Sequence, residues 1–165
     1  MANTTEAGQR DIPGVIARPP LIYLGVLALA IALDWAVMGP GLGLPYELRI
    51  AAGTIFLIAG LCLIVAAATL FNAAKTNIQT GKPTTAIVTT GIYRYTRNPI
   101  YLGMALIYSA LSLFAGSLIG LVGLPVALVI VHYGVIAREE RYLEVKFGQP
   151  YRDYKQRVGR WGGPV

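Results

Sequence analysis

Two short blocks of ionisable and aromatic residues stand out in this sequence. The first, GIYRYTRNPIYLG, runs from Gly91 to Gly103, and the second, REER, runs from Arg138 to Arg141. A carboxylate can bind an ammonium group, a guanidinium can bind a carboxylate, and an aromatic ring can contact a nucleobase or a sulfonium. The blocks therefore indicate a site for a small zwitterion, provided that the fold brings them together.

The stretch between the two blocks is apolar. Residues 99–137 contain no Asp, Glu, Lys or Arg, so 39 consecutive residues carry no formal charge. The whole chain is 55% hydrophobic and 13% charged, whereas soluble domains carry about 25% charged residues. This composition predicts a membrane protein. We interpret the net charge of +6 as a consequence of membrane orientation rather than of nucleic-acid binding.

Four apolar segments are candidates for membrane-spanning helices, because a bilayer core needs about 20 helical residues. We predict spans over residues 20–38, 50–71, 99–115 and 118–137. The last two form a predicted hairpin that turns at Gly116–Ser117. The predicted fold is an all-α integral membrane protein with a single domain over residues 1–165.

The C-terminal tail is predicted to be helical over residues 138–158. A first helix leaves the membrane and ends near Gly148 and Pro150. Beyond it, Tyr151, Tyr154 and Val158 recur at helical spacing between basic residues. This pattern predicts a short cytoplasmic amphipathic helix whose apolar face can lie on an anionic leaflet.

The distribution of Lys and Arg predicts the orientation. Of the 14 cationic residues, 13 fall in the N-terminal tail, the second loop or the C-terminal tail, and Arg49 is the exception. Both termini and the second loop are therefore expected in the cytoplasm, at an inner or plasma membrane. Both blocks then meet at the cytoplasmic end of the hairpin. The residues expected to converge there are Arg94, Arg97, Asn98, Tyr101, Glu139 and Glu140.

Further expectations concern single residues. Asn98 is a candidate N-cap before Pro99, which favours the first position of a helix. His132 lies seven residues before Glu139, so the two should share a helix face; His132 could line a pocket or bond a backbone carbonyl. No metal site is expected, since the chain has no second His and no ligating Cys. Asp34 is interpreted as an outer-interface residue that pairs with Arg49.

The blocks and the tail resemble the isoprenylcysteine carboxyl methyltransferase family and its relatives, the membrane phospholipid N-methyltransferases. The similar segments are TGIYRYTRNPIYLG and EERYLEVKFGQPYRDYKQRV, separated by the hairpin, within about residues 85–160. The resemblance implies S-adenosylmethionine as the cofactor, held between the loop 76–98 and the glutamate pair without a Rossmann fold. The cofactor-binding residues that it implies are Thr85, Ala86, Ile87, Val88, Tyr93, Arg94, Arg97, Asn98, Pro99, Ile100, Tyr101 and Glu139.

Two positions differ from the family pattern. Asn98 stands where many members have His, which changes the hydrogen bond to the cofactor. Val135 stands where the eukaryotic enzymes place an arginine for the substrate carboxylate, and Arg138 is the predicted substitute. A carboxylate acceptor needs no general base, whereas an amine or thiol would need one from His132 or Glu140. Arg138, Glu140 and His132 are therefore the predicted catalytic residues.

The resulting prediction is methyl transfer to a lipidic or isoprenoid-linked acceptor, most simply a carboxylate, at the cytoplasmic membrane face. The bilayer and a lipophilic acceptor are the predicted partners, and the oligomeric state stays open. One alternative is a membrane reductase that uses NADPH on a lipid. Another is a non-enzymatic small membrane protein such as a transporter, which should carry polar residues along a pathway near the membrane midplane.

Overall fold

The computed structural model describes residues 11–37, 41–78 and 81–163. Met38, the predicted end of the first span, and residues 79–80 of the predicted loop lie outside the described residues. The described part contains helices and loops and no strand. The helices are α1 (Pro19–Val37), α2 (Tyr46–Ala73), a 3₁₀ turn (Gly91–Arg94), α3 (Pro99–Ala115), α4 (Leu118–Val131), a π-helix (His132–Ile136), α5 (Ala137–Phe147) and α6 (Gln149–Arg157).

The long helices agree with the prediction of an all-helical membrane protein. Within the described ranges, three helices are long and apolar enough to cross a membrane: α1, α2 and the continuous helix Leu118–Phe147. The apolar part of that last helix ends at Ala137, where the REER block begins. Helix α3 is apolar but has only 17 residues. The count of four spans therefore stays a prediction.

The turn between α3 and α4 lies where the sequence predicts it. Gly116 takes a left-handed conformation (φ 63°) that ends α3, and the Ser117 hydroxyl accepts a hydrogen bond from the Gly120 amide at 2.8 Å. Asp34 is buried and accepts hydrogen bonds from the Ser117 hydroxyl and from the Ile119 amide. The first amides of a helix need acceptors, and a negative charge there interacts favourably with the helix dipole.

The expected pairing of Asp34 with Arg49 is wrong. Asp34 bonds the first turn of α4, while the Arg49 guanidinium packs against Gly116, leaving no room there for a β-carbon. This places a positive charge at the C-terminus of α3, where it favours the dipole. Each residue of the expected pair therefore stabilises a different end of the hairpin turn.

Helix α3 is central and contacts α1, α2 and α4. The α2 and α3 backbones approach so closely that a β-carbon on Gly60 would lie 2.7 Å from the Gly103 carbonyl oxygen. Small residues permit such contact between membrane helices. Within the described residues α1 and α2 make at most marginal contact with each other, since α1 packs mainly on α4. A gap between α1 and α2 results.

The apolar face of the tail helix, which the sequence predicts to be able to lie on a lipid leaflet, packs on the protein instead. Tyr151, Tyr154 and Val158 are buried and form a cluster with Ile87, Leu143 and Phe147. The apolar face of α6 therefore packs on α5 and on the second loop. Burial of these tyrosines removes the apolar face of α6 from solvent and holds the tail over the end of the hairpin.

Candidate active site

A cavity of about 1060 Å³ lies where α3 begins and α5 follows the hairpin. Its walls come from the second loop, the first turns of α3, the helices α5 and α6, and the segment that precedes α1. Ligand pockets typically measure about 300–1,000 Å³. The cavity is therefore large enough for a nucleoside-sized ligand together with part of a second molecule.

Glu139 presents a carboxylate to this cavity. The Tyr101 hydroxyl lies 2.8 Å from both carboxylate oxygens of Glu139 and donates a hydrogen bond to them. Tyr101 is held in turn by Tyr23, whose hydroxyl donates to the Tyr101 carbonyl at 3.1 Å. Burial raises the pKa of the Glu139 carboxyl to about 7, although the hydrogen bond from Tyr101 opposes this shift. Glu139 can therefore bind a cation or a proton near neutral pH.

Glu140 is a buried carboxylate between two guanidiniums. Its Oε1 lies 2.9 Å from Arg97 Nη1, and Arg160 binds both carboxylate oxygens through Nε and Nη2. Burial raises the pKa of Glu140, but the hydrogen bonds from Arg160 and the charges of Arg97 and Arg160 outweigh burial and lower it. Adjacent carboxyl groups thus have their pKa values shifted in opposite directions, which gives them different chemistry.

The C-terminal segment after α6 is bonded to the start of α3. The Arg160 carbonyl accepts hydrogen bonds from Thr96 Oγ1 at 3.0 Å and from Asn98 Nδ2 at 3.1 Å. The Arg97 amide donates to the Gly159 carbonyl at 3.1 Å. Asn98 occupies the N-cap position of α3 as predicted, but its side chain makes no capping bond because it binds Arg160 instead.

Arg97 retains hydrogen-bonding capacity toward the cavity. Its side chain is only 8% exposed and lines the cavity. Among the described residues, Nε and Nη1 have no hydrogen-bond acceptor of good geometry, although Nη1 is close to Glu140. Buried donors without acceptors are costly. A ligand anion in the cavity could satisfy them.

Residues 11–18, which we call the N-terminal strap, cover one side of the cavity. Arg138 Nη1 donates to the Gly14 carbonyl at 2.9 Å, and the Tyr142 hydroxyl donates to Asp11 Oδ1 at 2.8 Å. The Ile16 amide donates to the Gly134 carbonyl at 3.1 Å. These contacts hold the strap against α5 and the π-helix, so the strap closes one side of the cavity.

The prediction that His132 and Glu139 share a helix face is wrong. The π-helix His132–Ile136 winds more residues into each turn than an α-helix, which changes the phase of everything after it. Glu139 lines the cavity, whereas His132 lines a different groove and contacts Arg160, with Nε2 3.0 Å from Nη1. Val135 is completely buried in the core, where an arginine would not fit.

Comparison of the sequence with known protein families places this chain in one of them. The family model described as phospholipid methyltransferase matches residues 48–150, from the start of α2 to the start of α6. The chain belongs to the phospholipid methyltransferase family. The resemblance drawn from the two blocks is thereby confirmed, and the protein is a membrane methyltransferase by family.

A curated relative adds little about function. An uncharacterized protein of Haemophilus influenzae is 44% identical over 62 residues, which is 38% of this chain and 98% of that protein. No solved structure matches the chain. The geometry of this family member therefore has to be interpreted from its own residues.

The structure brings most of the residues expected from family resemblance to the cavity. Those that line it are Ala86, Ile87, Val88, Tyr93, Arg97, Asn98, Pro99, Ile100, Tyr101, Glu139 and Glu140. Thr85 and Arg94 are exposed and do not line it. Arg138 holds the strap, and His132 faces Arg160. Catalytic roles for Arg138 and His132 stay predictions, and their positions give both residues other contacts.

The sequence did not predict that the strap and Tyr142 line the cavity, nor that Arg160 binds Glu140 beside it. The strap and Arg160 lie outside the residues that the family model matches. Arg160 is one of seven basic residues in the C-terminal tail, and its type alone does not distinguish it from the others. The available signal was the glycine-rich GRWGG at 159–163, where the Gly159 amide donates to the Gly163 carbonyl at 2.7 Å. Such a tight turn after a helix indicates an ordered tail.

Replacing Arg160 tests the carboxylate network of this phospholipid methyltransferase family member. We expect Arg160→Gln to lower the free energy of unfolding by about 2 kcal/mol, because it removes charge-assisted bonds to buried Glu140. Arg157→Gln is the matched control, since Arg157 is exposed on α6, and should change stability by less than about 0.5 kcal/mol. Unfolding in detergent, followed by circular dichroism, measures both; equal stability of the two variants would contradict the network.

Proposed function

We propose that this protein transfers a methyl group from S-adenosylmethionine to a lipidic acceptor at the cytoplasmic face of the membrane. The observation that carries the proposal is that one cavity is lined both by the Glu139 carboxylate and by Arg97, whose Nε has no hydrogen-bond acceptor among the described residues. An acid and a base positioned this way match an amino acid's ammonium and carboxylate. Membership of a methyltransferase family supports the same assignment.

The residues around these two groups fit the rest of such a ligand. Ile87 and Val88 of the second loop and the ring of Tyr93 line the cavity and offer apolar and aromatic contact to a nucleoside. The Thr76 hydroxyl accepts hydrogen bonds from the amides of Thr85 and Ala86 and so fixes the loop. When bound, S-adenosylmethionine supplies a sulfonium whose methyl carbon is already electrophilic.

The chain's own part in the reaction is positioning and exclusion of water. Tyr101 orients the Glu139 carboxylate, and the Glu140 network fixes Arg97. The N-terminal strap covers one side of the cavity and limits the access of solvent there. Holding two reactants in a productive geometry can lower a barrier by about 7–11 kcal/mol. No proton has to be moved in the transfer if the acceptor is an ionised carboxylate.

The route for a lipidic acceptor is the gap between α1 and α2. The cavity lining continues from its polar residues to Leu21 of α1, Phe71 of α2, and Ile100 and Met104 of α3. Of these side chains Leu21 is exposed, and the other three are partly buried. An acceptor could therefore keep its chain in the bilayer while its reactive group reaches the cavity.

The acceptor group that suits this cavity best is a carboxylate. Two guanidiniums bind Glu140 and lower its pKa, which makes it a weak base, and His132 lies in another groove. Glu139 is taken by the ligand ammonium in this proposal, so none of the three is placed to act as a general base on the acceptor. An amine acceptor would need such a base. Arg18 and Lys82 line the mouth of the cavity and could pair with an acceptor carboxylate, a role that buried Val135 cannot fill.

Glu139→Ala should weaken S-adenosylmethionine binding about 100-fold, because the ligand ammonium loses its charged partner. Isothermal calorimetry on the detergent-solubilised protein measures the affinity, and circular dichroism checks the fold. Glu47→Ala is the control, since Glu47 is exposed on α2 far from the cavity. Unchanged affinity in Glu139→Ala would refute the assignment, and thermal stabilisation by NADPH alone would favour the reductase.

The binding should also depend on pH. Because the pKa of Glu139 is about 7, acidification protonates the carboxyl, and a bound ammonium must expel that proton. Affinity should therefore fall by up to about tenfold per pH unit below 7 and level off above it. In the ligand-free protein the trend is opposite: stability falls as pH rises toward 7, since ionisation of the buried group is unfavourable. Glu139→Gln should flatten both profiles; unaltered profiles would contradict the role.

The product identifies the acceptor. Membranes that contain the protein, incubated with methyl-labelled S-adenosylmethionine, should transfer label into the organic extract. A methyl ester releases labelled methanol in mild alkali, whereas an N-methyl group does not. Alkali-labile label is the expected result. Alkali-stable lipid label would overturn the carboxylate but retain methyl transfer, and label confined to the aqueous phase would overturn the lipidic acceptor.

A further inference from the structure

A second groove runs along the α3–α4 hairpin, separate from the cavity. It measures about 520 Å³ and shares no lining residue with the cavity. Leu102 and Leu106 of α3 form one wall, and Leu124 and Leu128 of α4 form the other. Val129 lines the rim and is 55% exposed. The groove therefore opens on the surface that the predicted spans present to lipid.

The length of the groove matches one leaflet. From Leu124 to His132 the helix rises about 12 Å, at about 1.5 Å per residue. A bilayer core is about 30 Å thick, so one leaflet is about 15 Å deep. A groove that ends near the middle of the bilayer fits an acyl chain from one leaflet. It is too short for a chain or helix that crosses both.

The end of the groove at His132, on the predicted cytoplasmic side, is polar and aromatic. His132, Tyr133 and Trp161 line it, and both aromatic side chains are exposed. Tyrosine and tryptophan concentrate at the level of lipid headgroups, because they combine an apolar ring with a polar group. The groove thus runs from the hydrocarbon region to the headgroup region.

The same end lies beside a cluster with a net positive charge in the ligand-free protein. Arg97 and Arg160 share the single carboxylate of Glu140, so these three side chains sum to +1 before any ligand binds Arg97. Arg160 is the more accessible of the two arginines, with 28% of its side chain exposed against 8% for Arg97. Its Nη1 lies 3.0 Å from His132, at the polar end of the groove. An anion would be attracted to this position.

We propose that the groove binds an anionic phospholipid, with an acyl chain between α3 and α4 and the phosphate beside Arg160, His132 and Trp161. The chain fills an apolar trough of matching depth, and the phosphate balances the charge that Glu140 leaves. The site does not depend on the methyl transfer proposed above. It would link lipid composition to the tail, because Arg160 also bonds Glu140.

The two tryptophans of the chain allow a direct test, since Trp161 lies at the groove and Trp35 lies at the opposite end of the predicted spans. The Trp35→Phe protein is reconstituted in phosphatidylcholine vesicles that contain phosphatidylglycerol. Brominated chains on one lipid at a time quench fluorescence by contact. Trp161 should show about fivefold preference for phosphatidylglycerol, as expected for one net charge, and Trp35 in the Trp161→Phe protein should show none.

Filling the groove provides the matched comparison. Ser109→Phe places a large ring in the groove and should abolish the preference, whereas Thr54→Phe on the exposed side of α2 should retain it. If Ser109→Phe does not fold, Val129→Phe at the rim replaces it. Equal quenching of Trp161 by both brominated lipids would overturn the site. Quenching that falls as the protein-to-lipid ratio rises, together with cross-linked dimers, would assign the groove to a second copy of the chain instead.

Discussion

The buried carboxylate of Glu140 and its two arginines are the interaction on which the rest of this site depends. Arg97 belongs to the second loop, Glu140 to the helix that leaves the hairpin, and Arg160 to the tail. Breaking a buried ion pair leaves a charge without compensation, which costs more than the pair contributes. The three segments are therefore constrained together, and the cavity forms between them.

Because of this ion-pair network, the neighbouring residues Glu139 and Glu140 have different roles. Glu140 holds the three segments together, while Glu139, one residue earlier, faces the cavity, and its one hydrogen-bond partner among the described residues is the Tyr101 hydroxyl. Burial without a counter-charge raises the pKa of Glu139, whereas two guanidiniums lower that of Glu140. A site for a cationic ligand group results from leaving one carboxylate unpaired. The π-helix contributes by setting the phase of both side chains relative to the membrane helices.

The architecture also gives two distinct apolar surfaces to the bilayer. One is the gap between α1 and α2, which leads into the cavity, and the other is the groove on the α3–α4 hairpin. Both end near the same charged network but on different sides of it. Tight α2–α3 packing through Gly60 and Gly103 keeps α3 central, so a single short helix forms part of both surfaces. A lipid at one surface and a reactant at the other would contact the same arginine cluster.

Local sequence patterns determined the positions of most helices and of the hairpin turn. Hydropathy located the helices and the Gly116 turn, and charge clustering indicated that the block from Gly91 to Gly103 and the REER block would meet. The sequence alone could not assign partners to these charges. Glu139 and Glu140 are equivalent in composition and nearly so in position. Arg160 pairs with Glu140, which lies 20 residues before it. The choice between the two glutamates depends on the path of the tail and on the π-helix, and the hydrophobic periodicity of the sequence indicates neither. Likewise Asp34, Arg138 and His132 received their contacts from segments distant in sequence, because ion pairs and hydrogen bonds depend on distances that only tertiary packing sets.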